Sequence, residues 1–175
     1  MRRVALGLSL AIAAALVIQA TALSSGGSRD DDVLDFDTMV GVTDVFVGSA
    51  NPIRGVNGGG LPWELDEAKG ELRGDGRLRI EVEGLVLARR APVPAALQGT
   101  NPIPQFAAVV HCLTPAHPDT GESVVTAPVP ASGDGDAEIR TTVALPSPCL
   151  APVVFVANGA VPAGTVGAWF AVTGR

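Results

Sequence analysis

The sequence predicts an all-β fold, a two-sheet antiparallel β-sandwich of about eight strands. Turn residues recur every eight to twelve positions with short β-branched runs between them, a rhythm typical of sandwiches and barrels. Twelve of the fourteen prolines lie between residues 92 and 162, too closely spaced for a long helix to persist there. The predicted strands have one polar face each, so we expect two sheets to pack through their apolar faces.

A hairpin over residues 68–88 is the clearest predicted element. Leu78, Ile80 and Val82 alternate with charged residues, which places them on one face of a strand. Asp75-Gly76 precedes this strand, and Asp-Gly between alternating runs is the strongest local signal for a tight hairpin. The other predicted strands cover residues 39–47, 105–113, 123–129, 137–145, 153–157 and 167–173.

The first 22 residues have the pattern of a secretory signal peptide. Arg2 and Arg3 precede an apolar run over residues 4–18, and the Ala-Thr-Ala at residues 20–22 is a small-x-small cleavage site. Cleavage after Ala22 would leave an exported protein, extracellular or periplasmic. The alternative is an uncleaved anchor, although the run is shorter than the roughly 20 residues that a spanning helix needs.

The remaining chain divides into two predicted parts. Residues 23–37 are polar and acidic and are predicted to form a flexible tether. Residues 38–175 are predicted to form a single β-sandwich domain, long enough to bury a substantial core. Lys69 is the only lysine beside eleven arginines, and with the abundant alanine, glycine and proline this indicates a bacterial protein.

The net charge argues against two classes of partner. The full chain carries −6, and loss of Arg2 and Arg3 with the signal peptide leaves −8. This sign repels phosphate backbones and anionic lipid headgroups. We therefore expect no nucleic-acid partner and no membrane insertion after cleavage.

Two cysteines, Cys112 and Cys149, are expected in an oxidising compartment. An even count in an exported chain favours one disulfide. The alternative is a metal pair, but the spacing is far from C-x-x-C and the chain has only two histidines.

The stretch GVNGGG, residues 55–60, has the glycine spacing of a phosphate-binding loop. A Walker-type loop needs Lys and Ser or Thr directly after the last glycine, where Leu61 and Pro62 stand here. The predicted role is a flexible connection, with glycines where positive φ angles are required.

A small secreted hydrolase with an atypical site around His111, His117 and Ser123 is the alternative that we weigh against a binding role. His111 neighbours Cys112 in a strand, so it is expected to face solvent if the cysteine faces the core. No G-x-S-x-G elbow supports a serine nucleophile. The acidic clusters also lack the spacing of a calcium loop. We therefore predict no catalytic residue, cofactor or metal ligand.

The loop over residues 51–63 is the predicted place of partner contact. It is long and glycine-rich, and such loops carry recognition more often than sheets do. Asn57 and Trp63 are its candidate contact residues. The alternative is that Trp63 folds over the open end of the core. These observations predict a non-catalytic module that binds a protein or an envelope component.

Residues 45–87 resemble the CHRD type of extracytoplasmic β-domain. The resemblance rests on FVGSA at residues 46–50, AKGEL at 68–72, the Asp-Gly turn, and LRIEVEGL at 78–85. CHRD domains typically have a His-x-His pair after this segment, whereas His111-Cys112-Leu113 stands in its place here. The resemblance implies a secreted β-domain of undefined binding role and transfers no functional residue.

Overall fold

The computed structural model describes residues 32–174. This part of the chain is all-β, with twelve strands and a short 3-10 helix, Asp44–Phe46. In chain order the strands are β1 (Asp32–Phe36), β2 (Val40–Gly41), β3 (Trp63–Glu64), β4 (Glu67–Arg73), β5 (Arg77–Glu83), β6 (Val86–Leu87), β7 (Gln105–Leu113), β8 (Glu122–Val125), β9 (Val129–Pro130), β10 (Ala137–Thr142), β11 (Leu150–Asn158) and β12 (Trp169–Val172). The predicted signal peptide and the first part of the predicted tether lie outside the described residues.

Two antiparallel sheets pack together, which confirms the predicted β-sandwich. Sheet A has the order β1-β4-β5-β10, and sheet B has the order β2-β12-β11-β7-β8, with β9 also pairing with β7. β3 and β6 form a separate two-stranded ribbon. The described residues contain more strands than the eight predicted, because pairings of two residues are too short to show alternation in the sequence.

The β4–β5 hairpin of sheet A forms at the predicted turn. Gly76 has φ +85°, and a Cβ at this position would collide with the carbonyl oxygen of Val143. The backbone N–H of Arg77 donates to the Asp75 carboxylate, which closes the turn. The alternating Leu78, Ile80 and Val82 of β5 are all buried in the core, as predicted.

Residues 32–36, which belong to the predicted tether, form β1. Leu34 and Phe36 are half-buried and pair with Leu72 and Gly70 of β4, whereas Asp35 is exposed. The aspartates gave the segment a disordered composition, but Leu34 and Phe36 alternate with Asp35 and Asp37. Alternation lets one face join the core while the carboxylates stay in water.

The predicted strand over residues 39–47 is a second difference. Only β2, two residues long, pairs there, with β12. The chain then turns through the 3-10 helix, in which Asp44 has φ +47°. A residue in this left-handed region cannot extend a strand, so the apolar run ends as a turn.

The core lies between the sheets and is tied by the predicted disulfide. Sheet A contributes buried side chains such as Leu72 and Ile139, and sheet B contributes Phe106 and Val154. Cys112 of β7 is bonded to Cys149, which directly precedes β11. The bridge joins two neighbouring strands of sheet B, so the metal-pair alternative does not hold for these cysteines.

Candidate ligand-binding site

Residues 43–62, here called the cover loop, pack against sheet B. The N–H of Gly59 donates to the Trp169 carbonyl at 2.8 Å, and the Trp169 N–H donates to the Asn57 carbonyl at 2.9 Å. A Cβ at Gly58 would collide with the Phe46 carbonyl oxygen. Among the glycines of GVNGGG, only Gly55 has a positive φ. Glycine is therefore required at position 58 because the backbone of Phe46 packs closely there, and not because of an unusual φ.

The cover loop and the edge of sheet B enclose an apolar groove of about 250 Å³. Phe46 and Ile53 of the loop face Val153 of β11 and Trp169 of β12 across it. None of the lining residues is charged. They are Val40, Gly41, Thr43, Phe46, Ile53, Val153, Trp169, Val172, Thr173 and Gly174.

Two apolar side chains of this groove reach solvent. Val40 and Phe46 are each 37% exposed. The Phe46 ring contacts the Trp169 ring with centroids 6.4 Å apart. Clustered apolar exposure of this kind marks a binding surface more often than scattered exposed side chains do. This groove is therefore the candidate functional site.

Three larger hollows, of about 410, 460 and 340 Å³, lie on the outer face of sheet A. All three are open and lined largely by charged side chains. Lys69 pairs with Glu81 at 3.5 Å, and Arg79 pairs with Glu138 at 3.7 Å. Exposed ion pairs of this kind are well solvated and contribute little to binding or stability. Sheet A therefore offers a solvated charged face and a weaker candidate site.

Arg54 lies at the tip of a two-residue hairpin in the cover loop. The N–H and carbonyl groups of Ile53 and Val56 exchange two hydrogen bonds at 3.1 and 2.9 Å. Arg54 and Gly55 between them have φ +49° and +78°, the signs that a type I′ turn requires. Arginine is an uncommon residue in this left-handed region. Its Nη1 is buried without a hydrogen-bond partner among the described residues.

His111 is buried, and the expectation that it faces solvent is wrong. It is 2% exposed although Cys112 faces the core as predicted. The cover loop and the β7–β8 connection cover the outer face of sheet B, so both faces of β7 are buried. The backbone of Gly121 packs directly on the ring.

The Ser123 hydroxyl and the Arg54 charge both act on the His111 imidazole. Its Nδ1 lies 2.9 Å from the Ser123 Oγ, and its Nε2 is buried without a well-aligned hydrogen bond to any described residue. Burial, followed by the nearby Arg54 guanidinium, lowers the pKa of His111, and the Thr120 backbone opposes this less strongly. The imidazole is therefore neutral at pH 7.

His117 belongs to a different cluster. Its Nδ1 lies 2.8 Å from Glu122, which also accepts a hydrogen bond from the Thr114 hydroxyl. The hydrogen bond with His117 is the main cause of a lowered pKa of Glu122. Glu122 pairs across the sheet with Cys112. Because adjacent residues of a strand point to opposite faces, the His117–Glu122 pair lies opposite Ser123 and His111.

The two histidines therefore do not converge on one cleft. His111 contacts Ser123 on the outer face, whereas His117 contacts Glu122 on the other face. No three His, Cys, Asp or Glu side chains within residues 32–174 are grouped closely enough to hold a metal ion.

The two candidate contact residues of the sequence analysis occupy different environments. Trp63 is 5% exposed and packs in the core, the alternative that we weighed for it. Asn57 is exposed, and its backbone carbonyl accepts a hydrogen bond from the N–H of Trp169 in β12. The predicted recognition loop does line the groove, but through Ile53. Only Gly55 signalled this hairpin in the sequence, since arginine is not among the residues that a type I′ turn prefers at its first central position.

No family model, characterised protein or solved structure matches the chain. Within residues 32–174, no helix is long and apolar enough to cross a membrane.

Proposed function

We propose that this protein is a secreted, non-catalytic binding module that holds the hydrocarbon part of a small envelope-derived ligand in the cover-loop groove. The groove itself carries this proposal. Its lining has no charged residue, although the chain has 17% charged residues, and its volume of about 250 Å³ suits a chain smaller than a drug-sized ligand. Val40 and Phe46 leave apolar surface open at its mouth.

Export is supported by two independent features. The first 22 residues have the three-part pattern of a cleavable signal. The Cys112–Cys149 disulfide is compatible with an oxidising compartment such as the periplasm or the exterior. An envelope ligand would be available to the protein in either place.

The hydrolase alternative has one observation in its favour, the 2.9 Å contact between the Ser123 Oγ and the His111 Nδ1. Three features weigh against it. The nearby Arg54 disfavours the imidazolium that a general base must become. The other ring nitrogen, Nε2, is buried against backbone and has no carboxylate to orient it. His117 and Glu122 lie on the opposite face of the hairpin.

The test uses 1-decanol, a neutral probe with a single chain. Trp169 lies in the groove, so a Trp63→Phe background leaves one tryptophan to report binding by fluorescence. We expect a saturable fluorescence change on titration with 1-decanol. No saturable change would overturn the proposal.

A matched pair of variants tests where the probe binds. Phe46 lines the groove and Val45, beside it in the 3-10 helix, does not. Phe46→Asp is expected to abolish the saturable signal because it places a charge in the apolar lining. Val45→Asp adds the same charge at the adjacent residue, outside the groove lining, and is expected to leave binding unchanged. Equal loss in both variants would contradict the groove as the site.

A further inference from the structure

We infer that Arg54 binds the carboxylate of a single-chain amphiphile whose hydrocarbon chain lies in the cover-loop groove. This inference rests on the proposed function and specifies the class of ligand: a free fatty acid of medium length.

Arg54 is the one cation without a carboxylate partner in the described part of the chain. Arg73, Arg77, Arg79, Arg89, Arg90, Arg140 and Lys69 each have an acidic oxygen within 4.0 Å. The chain carries an excess of acidic residues, with a net charge of −6. Because Arg54 has no acidic partner, its local positive charge, and not the negative net charge of the chain, is what attracts an external anion.

The backbone at Arg54 supports a role for its side chain. The turn needs φ +49° at this position, and Asn or Gly would adopt that conformation at lower cost. Residues held in left-handed conformations cluster at ligand sites, where a side chain must be presented in one direction. Nothing in the hairpin hydrogen bonding of Ile53 and Val56 requires a guanidinium.

Arg54 lies next to the groove, although it is not one of the lining residues. Ile53, which lines the groove, directly precedes Arg54. Val153, also in the lining, is the cross-strand partner of His111, and Arg54 is near enough to His111 to act on its charge. We therefore place the polar end of a ligand whose chain lies against Ile53 and Val153 near this guanidinium.

The Arg54 guanidinium and the apolar groove together determine the class of ligand. A guanidinium presents a planar fork of N–H donors that matches a carboxylate. Arg54 is half-buried, so the part of its guanidinium other than the fully shielded Nη1 is the part that a ligand would contact, and partial shielding from water strengthens a charge-assisted hydrogen bond there. The groove of about 250 Å³ has room for part of one chain, which disfavours a two-chain lipid.

The experiment compares three probes of equal chain length at pH 7.5: decanoate, 1-decanol and decyltrimethylammonium. For the wild-type protein we expect decanoate to bind about tenfold more tightly than 1-decanol, the effect of one charge-assisted hydrogen bond. The cationic probe is expected to bind most weakly. Equal affinity for decanoate and 1-decanol would overturn this inference and leave the groove standing. Failure of all three probes to bind would overturn the proposed function as well.

Two variants assign the effect to Arg54. Arg54→Asn removes the charge, and asparagine tolerates the positive φ, so the turn is kept. We expect Arg54→Asn to bind decanoate and 1-decanol equally. Arg77→Gln makes the same change in net charge at the distant β4–β5 turn and is expected to keep the tenfold preference. A preference that survives in Arg54→Asn, or is lost in Arg77→Gln, would contradict the assignment.

The imidazole of His111 provides a second measurement. Because the charge of Arg54 acts on the pKa of His111, a carboxylate bound to Arg54 should offset that charge. We expect the NMR titration midpoint of His111 to move to higher pH with decanoate and to stay in place with 1-decanol. An unchanged midpoint at saturating decanoate would place the carboxylate elsewhere.

Discussion

The indole ring of Trp63 stacks on the ring of Phe170, with centroids 4.1 Å apart and planes inclined by 25°. Trp63 starts β3 at the end of the cover loop, and Phe170 belongs to β12. The edge of Trp63 also meets Phe106 of β7, at 6.4 Å. This aromatic cluster anchors the end of the cover loop to the core face of sheet B.

Trp63→Ala is expected to destabilise the protein by about 3–5 kcal/mol, because it leaves a large cavity between Phe170 and Phe106. Urea denaturation measures the change in the free energy of unfolding. Asn57→Ala is the control, since that side chain is exposed in the same loop and should change stability by less than about 0.5 kcal/mol. A Trp63→Ala protein as stable as the wild type would contradict the packing seen here.

The disulfide is expected to contribute about 4 kcal/mol, because it closes a loop of 38 residues in the unfolded chain. The double variant Cys112→Ala/Cys149→Ala should lose this amount in denaturant unfolding. Thiol titration of the folded, unreduced protein should find no free thiol. Two reactive thiols in native material would show that the bridge does not form.

Stability is expected to fall as the pH drops below about 6.5, with His111 as the cause. Its folded-state pKa is lowered from 6.5, first by burial and then by Arg54. The unfolded chain therefore binds the proton more readily, and the contribution of the neutral imidazole is present above pH 6.5 and lost as the pH falls through the folded pKa.

Thermal melting between pH 7.5 and 5 tests this sign. The wild type should lose stability across that range, and His111→Gln should lose less. The range stops at pH 5 to avoid the titration of Glu122, whose pKa is also lowered, from 4.5. Parallel curves for the wild type and His111→Gln would refute the assignment.

Gly58→Ala is expected to destabilise the protein by about 1–3 kcal/mol, because the added methyl group collides with the Phe46 carbonyl oxygen. Gly60, two residues later, has open space around it. Gly60→Ala should therefore be neutral, or stabilising by up to about 1 kcal/mol through the unfolded state. Differential scanning calorimetry of the two variants measures these changes. Equal effects would argue that Gly58 does not pack on the Phe46 carbonyl.

Exported protein is expected to begin at Leu23, because residues 20–22 form the predicted cleavage site. Mass spectrometry of protein recovered outside the cytoplasm determines the first residue. Replacing Ala22 with a bulky residue should slow processing. Retention of Met1 in the exported fraction would contradict the signal peptide.

The sequence alone was sufficient to predict the hairpin, the disulfide and the fold class of this protein. The alternation of Leu78, Ile80 and Val82, together with Asp75-Gly76, was sufficient to predict the β4–β5 hairpin, because side-chain direction in a strand follows from position alone. The cysteine count and the expected compartment were sufficient to predict the disulfide between Cys112 and Cys149. The rhythm of turns predicted the fold class for the same local reason.

Only the tertiary structure decided which faces are covered. The alternation in β7 correctly placed Cys112 inward and His111 outward, but the cover loop, more than forty residues earlier in the chain, buries that outer face. The same non-local packing brings Phe46, Ile53 and Trp169 into one groove and leaves Arg54 without an acidic partner. Burial and charge pairing are properties of the final arrangement of distant segments, so no local pattern in this sequence specifies them.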